Sequence, residues 1–264
     1  QTPESGGSLT AFKYAYLDGT AEYYKKDVDD WQIGDDRGTI FIWYNPDDSN
    51  NGGSLFTTSK NGTDNFFSMS IQSENRIKFQ TDLTSSSYVS LTAHRNCAPG
   101  RWNSYCLKSD GSGYTLYVDG EETPTTTAGG AAQGSWLNTT TDRQNIAIGA
   151  LVRASAGTFF DGKIAQVAVW GGSSGTDGVL TSAQIKAIHD LGPSADLTTS
   201  YNSNLDGYWN FTKTTQGTST HSTLYDQSSG SDDDLTGVAV DSADIVTAYT
   251  PSPSAKRLSL GATE

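Results

Sequence analysis

Short stretches mixing aliphatic and aromatic residues recur along this chain, and a turn signal closes most of them. Residues 12–17 run into Asp18-Gly19, and residues 38–44 end at Asn45-Pro46. Residues 54–58, 66–72, 76–80, 88–92, 102–108, 114–118, 145–149 and 163–170 continue the series. None carries apolar residues at helical spacing over a long run, which excludes a helical bundle. Arg76-Ile77-Lys78-Phe79-Gln80 alternates polar and apolar, as a half-buried strand does. In residues 163–170, Ile164, Gln166, Ala168 and Trp170 share one face, and Ala165, Val167 and Val169 share the other. Both faces are mostly apolar, so this reads as a central strand covered on two sides. Asp110-Gly111, Asp119-Gly120 and Asp161-Gly162 read as tight turns.

One helix is specified locally. Thr181-Ser182-Ala183-Gln184 has the form of a capping box, in which Thr181 caps and Gln184 reaches back. Leu180 and Ile185 flank it as a hydrophobic staple, and Ile185, Ile188 and Leu191 give an apolar face. Gly192-Pro193 stops the helix near residue 191. Many strands with one short helix near 181–191 predict an all-β, antiparallel two-sheet jelly-roll sandwich.

A chain of 264 residues is long enough to bury a core without staples. Six Trp, 13 Tyr and 9 Phe can fill that core and argue against disorder, while 28 Gly suit a chain of many turns. The net charge of −13 lacks the clustered cations that nucleic acid or an anionic membrane surface requires. No apolar run is long enough to span a bilayer. The chain opens on Gln1 and its single Met is Met69, so it is expected to be processed, trimmed or part of a longer sequence, and no signal peptide is visible in it. Cys97 and Cys106 flank an Ala98-Pro99-Gly100 turn; a disulfide and two buried thiols both fit that spacing.

Six of the 30 acids are Glu, so 24 are Asp, a residue that favours turns and ligates calcium. Asp27, Asp29 and Asp30 crowd one loop, and Asp35 and Asp36 another. Asp27, Asp29, Asp30 and Asp35 are therefore the candidate calcium ligands, whereas Asp232, Asp233 and Asp234 read as a solvated loop. The three histidines, His94, His189 and His221, form no zinc motif, and no nucleophile elbow or dinucleotide fingerprint occurs. Trp43, Trp102, Trp170 and Trp209 lie on strand patterns and are assigned to the core. Trp31, Tyr44 and Trp136 lie near polar loops and are the candidate sugar-stacking aromatics.

Five blocks in order carry a resemblance. They are residues 16–24, residues 38–44, the segment from Gly100-Arg101-Trp102 to Tyr117-Val118-Asp119-Gly120, residues 161–170 and residues 180–191. Together they resemble the laminin-G-like, concanavalin-A-like jelly rolls. Leu205-Asp206-Gly207-Tyr208-Trp209 and Tyr225-Asp226-Gln227-Ser228-Ser229-Gly230, continuing to Leu235-Thr236, resemble a segment that follows this jelly roll in structural proteins of bacteriophages, marine ones especially. The resemblance implies a jelly roll over residues 9–249, with 192–249 an appended strand and loop segment. Residues 1–8 and 250–264 are expected to be terminal arms, either clasping neighbours or simply disordered.

The resemblance also implies glycan binding and adds weight to calcium at a sandwich rim. Sugar-cleaving relatives resemble a Glu-x-Asp-x-(x)-Glu strand, a spacing that the six Glu never take. The expected function is thus a non-enzymatic virion surface protein, a capsid decoration or fibre component. It would be a homo-oligomer touching neighbouring virion subunits and presenting loops to glycans. The alternatives are a secreted or cell-surface adhesin and, after that, a divergent polysaccharide hydrolase or lyase.

Overall fold

The computed structural model describes residues 9–47, 52–62, 65–84, 87–130, 134–139, 142–211, 223–229 and 232–251. The expected arm at residues 1–8, most of the one at 250–264, and His221 lie outside the described residues.

In chain order the strands begin with β1 (Leu9–Asp18), β2 (Tyr23–Asp27), β3 (Arg37–Pro46), β4 (Gly53–Ser59) and β5 (Phe66–Gln72). Next come β6 (Arg76–Thr84), β7 (Ser87–Asn96), β8 (Asn103–Ser109), β9 (Tyr114–Val118), β10 (Glu121–Thr123) and β11 (Thr125–Gly129). β12 (Asn145–Ile148), β13 (Leu151–Val152), β14 (Ala156–Gly157) and β15 (Asp161–Gly172) precede the helix α1 (Ser182–Leu191). β16 (Leu205–Asn210), β17 (Thr223–Leu224), β18 (Leu235–Val238) and β19 (Ile245–Pro251) close the fold.

These strands form two large sheets and a separate two-stranded ribbon of β13 and β14, and every pairing is antiparallel. One is eight-stranded, in the order β10-β9-β8-β3-β15-β1-β19, with β16 beside β15. The other is nine-stranded, in the order β11-β7-β6-β5-β4-β12-β2-β18-β17. The first residues of the expected C-terminal arm are in fact strand, since Thr250 and Pro251 pair with Thr10 and Leu9.

The inner faces of the sheets meet in an aromatic core. Phe67 lies 4.8 Å from Phe79 and edge-on to Trp136 at 5.4 Å, while Trp31, Phe56 and Trp209 form a second knot. Burying a side chain of this size contributes roughly 1.5–3 kcal/mol. Gly38 is a glycine because a Cβ there would lie 2.2 Å from the Trp170 carbonyl and 2.8 Å from the Trp136 ring.

The strand expected to be covered on both sides is β15, the centre of the eight-stranded sheet. Its faces differ from a strict alternation. A register shift between Ile164 and Gln166 inserts Ala165, and parity changes across it. Ile164, Val167 and Val169 point into the inter-sheet core, while Ala165, Ala168 and Trp170 face the helix. Asp161-Gly162 is likewise no turn: both residues belong to β15, opposite Asp18 and Leu17. Asp119-Gly120 does turn, with φ of 52° and 74° at its two residues.

Helix α1 keeps its expected cap. Thr181 accepts from the Gln184 amide, and the Gln184 side chain accepts from the Thr181 amide at 2.9 Å. The Leu180 amide donates to Thr39 Oγ1 at 3.0 Å and ties the helix entrance to β3. Ile185 and Ile188 are buried on the sheet, whereas Leu191 is 39 % exposed.

Cys97 and Cys106 are both free and buried. No disulfide joins them because Cys97 lies in the inter-sheet core, whereas Cys106 points to the opposite side of its sheet, under the helix. Cys97 Sγ hydrogen-bonds the Tyr44 hydroxyl. Burial pushes the Cys97 thiol up to about 11 and raises Cys106 further.

Candidate functional site

The two sheets present different outer faces. Outward residues of the eight-stranded sheet (Phe41, Trp43, Cys106, Tyr117, Ala168, Trp170, Leu205 and Tyr208) are apolar and are roofed by Leu180, Ile185, Ile188 and Leu197. The nine-stranded sheet turns outward a row of hydroxyl, amide and amine groups. Ile77 and Phe79 of β6 enter the core, so Lys78 and Gln80 face out. Cross-strand pairing sets Lys78 between Ser70 and Thr92, and Gln80 between Ser68 and Ser90.

Tyr88 completes this row. It precedes the inward-facing Val89, pairs with Asp82 across the strand and is 37 % exposed. Further along the sheet the β13–β14 ribbon packs against β4 and β12. Arg153 of the ribbon lies over the Phe66 ring at 5.6 Å. A cavity of about 240 Å³ on one side of the ribbon is lined by Phe66, Ser68, Ser70, Lys78 and Gln80, among others. A second, of about 700 Å³ on the other side, is lined by Tyr23, Lys25, Asp27, Asp29, Gln144 and Arg153, among others. Burial lowers the pKa of Lys78. Among the described residues no carboxylate forms an ion pair with Lys78. The face therefore offers one exposed aromatic, several short donors and acceptors, and a cation able to meet a ligand's oxygens.

The aromatics expected to stack on sugar are elsewhere. Tyr44 and Trp136 are fully buried and Trp31 is 5 % exposed, all in the inter-sheet core. Their neighbours in sequence are polar, but their strand and loop geometry turns the rings inward. Trp31 is pinned there by its Nε1, which donates to Asp233 Oδ2 at 2.6 Å. Asp233 is buried rather than solvated; it also accepts from Lys26 at 3.0 Å, and its carbonyl accepts from Trp209 Nε1. Trp43, Trp170 and Trp209 are core residues as expected, and Trp102 is half-buried.

The candidate calcium ligands do not converge. Among the described residues no three His, Cys, Asp or Glu side chains come together in a way that could hold a metal ion. Asp27 pairs with Lys25 at 3.0 Å. Asp30 Oδ1 accepts from the Arg143 amide at 3.1 Å. Arg143 explains this loop. Its guanidinium is fully buried and donates to Leu137 O at 2.6 Å, Trp31 O at 2.7 Å and Thr58 Oγ1 at 3.0 Å. Burial lowers its pKa to about 10, while the charges of Asp30 and Asp35 act the other way. Those two acids thus answer an internal cation, and these four residues do not fit a calcium site.

Asp35 has a second partner. Its carboxyl meets that of Asp206 over Gly171, where a Cβ would lie 2.1 Å from Asp35 Oδ2 and 2.5 Å from Asp206 Oδ2. Burial, then the Asp35 charge and hydrogen bond, push Asp206 up to about 8. Burial raises Asp35 as well. Both shifts favour protonation of the pair over two bare carboxylates. Because both Oδ2 atoms lie within 2.5 Å of the same point over Gly171, these carboxyls stand closer than the ~5–5.5 Å that a retaining glycosidase requires. Neither residue lines the cavities described above.

Residues 18–186 match the family described as the concanavalin A-like lectin/glucanases superfamily, and the chain belongs to it. No curated protein matches in sequence. Among solved structures, the CBM40 domain of the Ruminococcus gnavus IT-sialidase superposes with a TM-score of 0.54 at 19 % identity, over 69 % of this chain and 98 % of that one. The same domain has been solved bound to α2,3-sialyllactose. A provisionally described carbohydrate binding protein of Bacteroides ovatus matches with a TM-score of 0.57 at 14 % identity, over 90 % of this chain and 60 % of that one. The leech intramolecular trans-sialidase gives 0.51 at 18 % identity, over 68 % of this chain and 27 % of that one. At these identities the likeness is one of fold.

Sequence reasoning passed over Lys78, Gln80 and Tyr88. The signal was present: the alternation in residues 76–80 already places Lys78 and Gln80 on the outward side. For Tyr88 the clue is its parity with Ser90 and Thr92, opposite to Val89 and Leu91.

Proposed function

We propose that the protein is a non-enzymatic glycan-binding domain that takes its ligand on the outer face of the nine-stranded sheet. The observation that carries this reading is the outward polar row in which Lys78 and Gln80 are half-buried and Ser68 and Ser90 lie buried between their neighbours, beside the exposed Tyr88, on a sandwich whose other outer face is roofed. A sugar laid there presents C–H groups to the tyrosine ring and hydroxyls to the amide and hydroxyl groups. Lys78 favours a glycan bearing a carboxylate, and sialyllactose bound by the R. gnavus domain is a ligand of that kind. The absence of the Glu-x-Asp-x-(x)-Glu spacing from the sequence supports a binding rather than a cleaving role.

A virion surface, with neighbouring capsid or fibre subunits and self-association, is the setting included in the proposal. It rests on the resemblance of residues 205–236 to phage structural proteins, and a secreted or cell-surface adhesin is the alternative setting. Glycan-array binding by the full chain, repeated with Tyr88→Ala and Lys78→Ala, tests the site. Loss of signal in both variants, each melting like the parent, is the expected result. An array empty for the parent protein, or binding indifferent to both substitutions, removes the reading.

A further inference from the structure

A third cavity, of about 490 Å³, opens on the roofed side of the sandwich at the C-terminal end of α1. Its lining includes Trp43, Trp102, Arg95, Arg101, Asp119 and His189. It lies on the side opposite the polar row of the nine-stranded sheet and shares no residue with it.

The floor is rigid. The Trp43 and His189 rings stack at 5.1 Å with 17° between their planes. His189 Nδ1 hydrogen-bonds Ser104 Oγ at 2.9 Å, and the Ser104 amide donates to Asp119 Oδ1 at 3.1 Å. Asp119 then anchors two cations through its other oxygen. Arg101 Nη2 donates to Asp119 Oδ2 at 2.6 Å and Arg95 Nη2 at 3.2 Å, and Arg95 Nη1 also donates to the Val118 carbonyl at 3.0 Å.

The exposures give this arrangement a direction. The Asp119 side chain is 11 % exposed, whereas those of Arg95 and Arg101 are 44 % and 56 % exposed. The carboxylate sits behind and the guanidinium groups face out. Asp190, the other acid at the rim, is answered by Lys186 one helical turn earlier, at 3.2 Å. Lys186 also reaches Glu121 at 3.7 Å, so the surplus is confined to the triad itself, where two guanidinium groups face the single carboxylate of Asp119. Beside the arginines stands Trp102, half-buried and braced edge-on by Phe12 at 5.3 Å and Tyr14 at 5.5 Å.

We propose that this cavity is a second binding site, for an anionic sugar residue. The ligand's carboxylate or sulfate oxygens take the outward N–H groups of Arg95 and Arg101, and its C–H face lies on the Trp102 indole. The arginines are already held by Asp119 and the Val118 carbonyl, so little side-chain freedom is lost on binding. Sugar and charge are read by different groups, so a neutral hexose keeps only the weaker, stacking half of the contact.

The test uses the full chain carrying Lys78→Ala and Tyr88→Ala, so that the sheet face contributes nothing and failure of the first site is scored separately. Calorimetric titrations compare digalacturonate, galactose 6-sulfate and galactose. Binding of at least one charged sugar about tenfold tighter than galactose is expected, with the preference eroded as salt is raised. Whichever charged sugar binds identifies the anion. Arg95→Gln with Arg101→Gln should remove the preference about tenfold while leaving the melting temperature in place, and Trp102→Ala should weaken all three sugars. Equal affinity for charged and neutral sugars, no binding of any of them, or a charged-sugar affinity untouched by the double arginine variant overturns the proposal.

Discussion

The outer faces of the two sheets are built from the same pleated geometry and end differently. On the eight-stranded sheet the outward positions are Phe41, Trp43, Tyr117, Ala168 and Trp170, and a helix with two long connections covers them. On the nine-stranded sheet the outward positions of β5, β6 and β7 are Ser68, Ser70, Lys78, Gln80, Ser90 and Thr92, and the short β13–β14 ribbon lies against the neighbouring β4 and β12. The residues at every second position therefore decide which face is roofed. The roofed face is packed with apolar side chains, and the other keeps polar ones outward.

Substitutions on the two faces should differ in size. Under the roof, Ile188→Ala is expected to cost about 2–5 kcal/mol in urea unfolding, because it leaves a cavity between helix and sheet. On the open face Gln80→Ala should stay within about 0.5 kcal/mol by the same measurement. Equal losses would erase the contrast. Thr181→Ala deletes only the cap of the covering helix. It should cost about 1 kcal/mol, read most directly as faster amide exchange in residues 182–185.

A smaller effect separates the roofed sheet by pH. Asp206 has a folded-state pKa of about 8, above its unfolded value, so the folded chain holds a proton that the unfolded chain has lost. Its contribution is complete below the unfolded pKa and declines as pH rises towards 8. The melting temperature of Asp206→Asn should therefore gain on the parent between about pH 5 and 8. A constant difference across that window would show that the pair over Gly171 holds no such proton. The smallest effect concerns metal. Since Asp30 and Asp35 answer Arg143, millimolar calcium or a chelator should leave the melting curve unmoved, and a clear upward shift with calcium would refute that assignment.

Features set by neighbours in sequence were legible in advance. The Thr181–Gln184 capping box and the Gly192 stop define α1, and the aromatic, turn-rich pattern gives the sandwich. Features set by distant partners were not. Trp31 is close to acids in sequence, yet Asp233, 202 positions away, fixes its ring inside. The Asp-rich loop resembles a metal loop until Arg143 is placed beneath it, 113 positions from Asp30. The bulge at Ala165 exchanges the two faces of β15 without any mark in the local pattern. The outward residues Lys78 and Gln80 were readable from alternation, but whether that face is roofed depends on where a helix 100 residues later comes to rest.

The placement of the two thiols has its own consequence. One sulfur is locked against a tyrosine between the sheets, and the other is sealed beneath the helix on the far side of a strand. Alkylating reagents and glutathione reach neither without an opening of the fold. Such a molecule keeps the same architecture in reducing and oxidising surroundings, and the rate at which its cysteines are labelled becomes a clock for how often the sandwich comes apart.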